Sequence, residues 1–228
     1  LKIVFLTYKA WDIENLKKFK VSNPDIQVEL IKDHEDLDYN KIKKFNPEYI
    51  FVTHWSWKIP SEIYDNFDCI LFHMTDLPYG QGGSPLQNLI LRGHEKTKIS
   101  AIKVVEAMDA GDVYMKSELS LHGSAEEIFI RASKKIYSEM IPDILKTKPE
   151  AQKQIGEVVS FKRRKPSESV IPENIELEKI YDFIRMLDCE GYPNARLELG
   201  KLVIEFSEAN RKNGQVTARV NIKEASCE

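Results

Sequence analysis

The sequence predicts an α/β fold: a mostly parallel, Rossmann-like sheet to about residue 150, then a small α+β appendage. Three observations carry this. Short β-branched runs alternate with segments of helical period as far as Thr53, the order that builds βαβ units. Two more apolar runs, Cys69 to Phe72 and Ile99 to Val105, flank one turn-rich segment and one helix. Beyond a stretch rich in Lys, Glu, Gln and Pro, from Lys146 to Ser169, the pattern becomes one helix followed by strands alone. Residues 1–150 are therefore expected as the main domain, and 151–228 as a linker with a small subdomain.

Each element has a local reason. Ile3 to Leu6 is a continuous apolar run, the mark of a strand buried on both faces. Trp11 to Lys20 places Ile13 and Leu16 on one helical face. Ile26 to Ile31 alternates and reads as the second strand, a short helix over Leu37, Ile42 and Phe45 follows, and Tyr49 to Thr53 is the third strand. Ser84-Pro85 opens a helix, with serine as N-cap and proline at the first helical position, and Gly93 stops it. Asp112 to Leu121 alternates as a strand. Ser124 and Glu127 form a capping box for a helix that Pro142 should kink or end. Ile175 to Leu187 is the last helix. Strands are expected over Arg196–Leu199, Leu202–Phe206 and Val216–Ile222.

Composition narrows the function. The chain has 228 residues, 42% hydrophobic and 30% charged, with a formal net charge of -3. A protein that grips a nucleic-acid backbone usually presents a basic face, so nucleic acid is not expected as a partner. Cys69, Cys189 and Cys227 show no CxxC spacing, and Cys69 sits in an apolar run as a small hydrophobe. No run is long enough for a membrane span and no signal peptide is visible, so the expected place is the cytoplasm. The first strand is not followed by GxGxxG, which argues against a nicotinamide cofactor, and no GxxxxGK[ST] implies ATP. No His/Cys/Glu cluster has metal-ligand spacing, so no metal is expected. His34, His94 and His122 lie in charged or turn-like contexts and should be exposed.

The chemistry concentrates between Cys69 and Asp112. His73 ends one apolar run, and Asp109 follows the next, thirty-six residues on. Were the two runs neighbouring strands, imidazole and carboxylate would meet at one sheet edge, where open α/β sheets bind ligands. Such a pair can move protons, the carboxylate orienting the ring. His54-Trp55-Ser56-Trp57 ends the third strand, and its indoles read either as a wall for a flat heterocycle or as a cover for the sheet end. Arg163 and Arg164 read as a solvated linker face or as a phosphate clamp.

The residues His73, Thr75, Leu77, Pro78, Gly83, Pro85, Asp109 and Gly111, in this order, resemble the signature of the formyltransferases that use 10-formyltetrahydrofolate. The segment IYDFIRMLDCEGYPNA is similar to the start of the family's C-terminal region. The resemblance implies a formyltransferase catalytic domain in residues 1–150, with His73 and Asp109 catalytic. It implies a folate pocket lined by Trp55, Trp57, Ile59, Leu77 and Met108, and an acceptor site at Gly80, Gln81, Gly82 and Gly83 with Arg163 and Arg164. The formyl donor would be 10-formyltetrahydrofolate. The acceptor would be a nucleotide-linked amino sugar, closest to the UDP-linked 4-amino-4,6-dideoxy sugar of pseudaminic acid biosynthesis. Methionyl-tRNA is the first alternative and a non-catalytic folate-binding homologue the second. A homodimer is left open. One departure stands out: the family's asparagine two residues before the histidine is Leu71, which has no donor. His54, Thr75 and the backbone of the Gly80–Gly83 loop are the candidates to replace it.

Overall fold

The computed structural model describes residues 1–225, so Cys227 lies outside the described residues. Along the chain run β1 (Lys2–Thr7), α1 (Ala10–Ser22), β2 (Gln27–Ile31), α2 (Tyr39–Phe45), β3 (Tyr49–His54), α3 (Ser61–Tyr64), β4 (Cys69–His73) and β5 (Tyr79–Gly82). Then come α4 (Pro85–Leu91), β6 (Lys96–Lys103), β7 (Val113–Ser120), α5 (Ala125–Lys135), α6 (Ile141–Thr147), β8 (Val159–Phe161), α7 (Leu177–Arg185), β9 (Ala195–Leu199), β10 (Leu202–Lys212) and β11 (Gln215–Glu224). The fold is α/β, with a mostly parallel main sheet and an antiparallel C-terminal one. The chain forms two compact units that interleave in sequence. One holds Leu1–Gln81, Thr97–Leu119 and Ile130–Ser160, the other Gly82–Lys96, Ser120–Phe129 and Phe161–Glu228.

The first unit is built on the six-stranded sheet, in the order β2-β1-β3-β4-β6-β7. Strands β1, β2, β3 and β4 are parallel, and β6 runs antiparallel to β4 with Ser100 opposite His73. Ile3, Val4, Phe5 and Leu6 are all fully buried because both faces of β1 are covered. On one face Val4, Leu6, Ile50, Val52 and Cys69 pack with Ile42, Ile59 and Ile63. On the other, Phe5 meets the rings of Phe19, Phe51 and Tyr137. Burial of Cys69 pushes its thiol up to about 12, in keeping with a core residue. The parallel register aligns Leu6 with Val52 and Val52 with Leu71, so Thr7, His54 and His73 all stand at the carboxyl edge.

Helix ends follow local chemistry. Asp38 caps α2 by accepting from Lys41 N at 2.7 Å. Ser124 and Glu127 form the expected reciprocal box at the start of α5, at 2.8 and 3.2 Å. Beyond Lys135 the helix widens into one π turn over Ile136–Met140 before resuming as α6 with Pro142 in its first turn. A proline cannot donate to the ladder, and a wider turn accommodates the missing bond.

The second unit contains α4, α7 and an open antiparallel sheet in the order β11-β10-β9. Gly93, at φ 77, ends α4 with paired bonds from Gly93 N to Ile90 O and from His94 N to Leu89 O, a Schellman stop. The expectation for Ser84 is corrected. It sits at the N-cap position, but at φ 50 and without a side-chain bond to the helix. The left-handed backbone turns its Oγ away from the helix N–H groups, and Arg164 N donates to it at 3.0 Å. His94 is half-buried, not exposed as expected.

Candidate active site

His73 is the last residue of β4 and 8% exposed. The turn after it is bolted to β6 by Ser100, whose Oγ donates to Thr75 O at 2.7 Å and accepts from Leu77 N at 3.3 Å. Asp76 adds a second bolt: partial burial pushes its carboxyl up, but Lys116 at 2.6 Å and Lys98 at 3.0 Å pull it below the usual carboxylate range. The turn, with a cis Leu77–Pro78 bond, brings β5 back under the histidine. Gly80 O lies 2.8 Å from His73 Nε2, and Thr75 Oγ1 donates to the same carbonyl at 3.3 Å.

Asp109 approaches the other side of the ring. Its loop leaves β6 at Lys103, and Lys103 N donates to Asp112 O at 2.9 Å. Gly111 passes so close to β6 that a Cβ there would stand 1.7 Å from Lys103 O. Asp109 itself takes φ 55, and its Oδ1 comes to 3.6 Å from His73 Nδ1. That is ion-pair distance and longer than a good hydrogen bond. Both ring nitrogens thus face acceptors, and only a doubly protonated ring donates to both at once. Sequence reading missed Gln154, in the segment read as a linker. Its Nε2 donates to Asp109 O and Gly111 O at 2.7 and 2.8 Å, and its Oε1 accepts from Gln81 Nε2 at 3.1 Å. Nothing in its local context distinguishes it from the neighbouring Gln152.

The strand-end aromatics form a group of their own composition. His54 meets Tyr8 and Trp11 edge-on, both at 5.8 Å, and Trp57 stacks on exposed His34 at 4.9 Å. Trp55 contacts Trp57, packs on the Val52 cluster, and buries its Nε1 without a partner among the described residues. Leu71 packs on the same cluster, on the His73 face as strand alternation requires. Of the other expected pocket residues, Ile59 and Leu77 are buried in the core, while Met108 is 70% exposed. A polar cleft of about 570 Å3 opens beside the loop to Asp109, between Lys58, Ser61, Tyr64 and Asp65 on one side and Lys103 and Glu106 on the other.

Burial, aided by the charge of Lys9, pushes His54 down to about 4. The unfolded chain, near 6.5, binds the extra proton first, so this group lowers stability as pH falls from about 6.5 to 4 and leaves it unaffected above. The full effect is about 3 kcal/mol. Asp12 acts in the opposite sense, because burial raises its carboxyl against hydrogen bonds from Ser133, Thr7 and Thr53. The difference between wild type and His54→Gln in denaturant melts at pH 7.5 and 4.5 isolates His54. The variant is expected to lose less stability on acidification.

Gly82, Gly83, Arg163 and Arg164 belong to the second unit. A Cβ at Gly82 would lie 2.4 Å from Phe161 O, and one at Gly83 2.5 Å from Arg163 Cβ. Only glycine lets these two segments run this close. Arg163 is exposed. Arg164 lies 5.8 Å over the Phe183 ring and donates through Nη2 to Glu168 O, while its Nε is buried without a partner among the described residues. No group of three or more ligating side chains among the described residues could hold a metal ion, and none of their helices is long and apolar enough to cross a membrane.

Residues 166–223 match the family model for the methionyl-tRNA formyltransferase C-terminal domain. A solved structure described as methionyl-tRNA formyltransferase from Clostridium thermocellum is 54% identical, with a TM-score of 0.96, over 99% of this chain and 100% of that one. The methionyl-tRNA formyltransferase of Bacillus mycoides is 29% identical over 186 residues, 78% of this chain but 59% of the relative. The chain thus spans little more than half the length of the curated relatives it matches. HypX from Aquifex aeolicus, solved with tetrahydrofolic acid, shares the fold at 16% identity and a TM-score of 0.74, over 91% of this chain and 37% of that one.

Proposed function

The chain belongs to the methionyl-tRNA formyltransferase-like family of formyltransferases, and on that premise we propose that it moves the formyl group of 10-formyltetrahydrofolate to an amine. The observation that carries this reading is the buried His73 ring, with a carbonyl 2.8 Å from Nε2 and a carboxylate 3.6 Å from Nδ1. In the reaction the amine lone pair adds to the formyl carbon, the bond from that carbon to N10 breaks, and one proton passes from the amine to N10. His73 carries that proton, exchanging Gly80 O for the substrate at Nε2. Asp109 sustains the imidazolium formed in between. Leu71 supplies no donor to the oxyanion, so His54, Thr75 and the Gly80–Gly83 backbone remain the proposed replacements. In this structure the Thr75 hydroxyl is directed at Gly80 O.

For the folate, the donors present fit a flat heterocycle. The unpartnered Trp55 Nε1 would be satisfied by an acceptor on such a ring, with Trp57, Ile59, Leu77 and Met108 as further proposed contacts. Folate is expected to quench tryptophan emission, and Trp55→Phe, which keeps a ring but loses the N–H, to weaken binding by about 1 kcal/mol. Trp11 cannot serve as a distant control, because its ring meets His54. Quenching has therefore to be assigned by single-tryptophan variants. Unchanged folate affinity in Trp55→Phe would return the indole to a covering role.

For the acceptor we keep the nucleotide-linked amino sugar, on the acidic balance and with Arg163 and Arg164 as proposed phosphate ligands. Methionyl-tRNA is the second reading, favoured by the names of the relatives above. The deciding experiment offers the chain 10-formyltetrahydrofolate with UDP- and dTDP-linked amino sugars, the UDP-linked 4-amino-4,6-dideoxy sugar first, and in parallel with charged initiator tRNA. The acceptor that gains one formyl group by mass identifies the substrate. Folate binding with no transfer to any amine would favour a non-catalytic homologue.

A further inference from the structure

We propose that Gln154 is a positioning residue for the His73–Asp109 pair, a role that rests on the formyl-transfer reading for its kinetic consequence but not for its geometry. The imidazole is faced on two sides by groups that arrive from different parts of the chain. On the Nε2 side stands Gly80 O, next in sequence to Gln81; on the Nδ1 side stands Asp109. The Gln154 carboxamide joins the two. Its single NH2 reaches the carbonyls of Asp109 and Gly111, and its oxygen takes the Gln81 Nε2 hydrogen. Two donors and one acceptor on one planar group are what this junction needs, and among side chains only a carboxamide supplies them. Asparagine has the chemistry but not the reach.

The left-handed backbone of Asp109 explains why one NH2 can serve two carbonyls two residues apart: the turn makes them converge. Gly111 is pressed against Lys103 O on its far side, so the loop is clamped between β6 and Gln154. Loss of the carboxamide frees the loop on one side only, and the Asp109 carboxylate then no longer has a set distance from Nδ1. The segment carrying Gln154 does not depend on this side chain for its own anchorage. Gln152 exchanges two backbone bonds with Val113, at 2.7 and 2.9 Å, and holds the segment to β7.

The test uses the full chain with two substitutions. Gln154→Met keeps the volume and removes every donor. Gln154→Glu keeps the shape, keeps the acceptor and turns carboxylate oxygens toward two carbonyls. Turnover is expected to fall roughly ten- to hundredfold in kcat, with KM for both substrates little changed, because misplacing a catalytic group by about 1 Å carries that penalty. The Glu variant should be the slower. The readout independent of activity is the 15N spectrum of the His73 ring, assigned by its loss in His73→Asn. Both ring-nitrogen signals should move in Gln154→Met and Gln154→Glu at fixed pH, while thermal midpoints stay within a few degrees. Should Gln154→Met unfold, Gln81→Met, which removes only the third bond, should still move the ring signals. Ring signals unchanged in a folded Gln154→Met, or kcat within twofold of wild type in an active enzyme, overturns the proposal. Shifted ring signals in a chain that formylates no amine would sustain the positioning role and remove the proposed function instead.

Discussion

A His73→Asn chain is expected to lose formyl transfer by roughly a thousandfold while keeping its fold and its affinity for folate. The imidazole is the one titratable ring placed between Gly80 O and a carboxylate, and asparagine cannot carry a proton from amine to leaving nitrogen. Stability should change little, because the strand is held by apolar partners: Phe72 packs on Phe51 and Leu71 pairs in register with Val52. Asp109→Asn should be nearly as severe. It leaves a neutral side chain facing Nδ1 and withdraws the charge that sustains the imidazolium, so the loss should fall on kcat rather than on KM. Stopped turnovers with a mass readout, beside a thermal melt, check both. Turnover within tenfold of wild type in folded His73→Asn would remove His73 from the mechanism.

Gly111→Ala is expected to damage stability and activity together. The added methyl would stand 1.7 Å from Lys103 O, and a backbone carbonyl within a sheet cannot rotate away as a side chain could. Either the Lys103–Asp112 bond, 2.9 Å, breaks, or the loop swings out and takes Asp109 with it. Overpacking of this kind costs about 1–3 kcal/mol, and the upper end is expected because the atom the methyl meets is main chain. Activity should drop as far as in Asp109→Asn. Gly93→Ala is the control. Its φ of 77 is glycine-like where that of Gly111 is not, but a Cβ there meets nothing within 4 Å, so it should lose only the strain of a left-handed alanine, about 1 kcal/mol. A Gly111→Ala chain as stable and active as Gly93→Ala would mean the loop is not pinned where the structure has it.

The carboxyl-edge position of His73 was legible because it depends on local pattern. An apolar run that ends on a polar residue, followed by turn residues, marks a strand end whatever the rest of the chain does. The same holds for the capping box at Ser124, which needs three residues of context, and for the Gly93 stop. Ser84 shows the limit. Its residue type and its neighbour Pro85 are those of an N-cap, yet its φ of 50 comes from the chain segment that Arg164 N anchors eighty residues away.

By itself, then, the sequence determined most of the strands and helices, though not α3, β5 or β8, that the sheet is mostly parallel, and that an imidazole and a carboxylate sit at the ends of two apolar runs. Period and turn chemistry are local and survive without a partner. The tertiary structure alone decided what those groups face. It turned Gly80 O onto Nε2 and set Asp109 at 3.6 Å. It put Trp11 beside His54, and brought Gln154 from an apparent linker onto the Asp109 loop. Contacts made across turns and between distant segments leave no trace in a local pattern, because their geometry exists only once the sheet has folded.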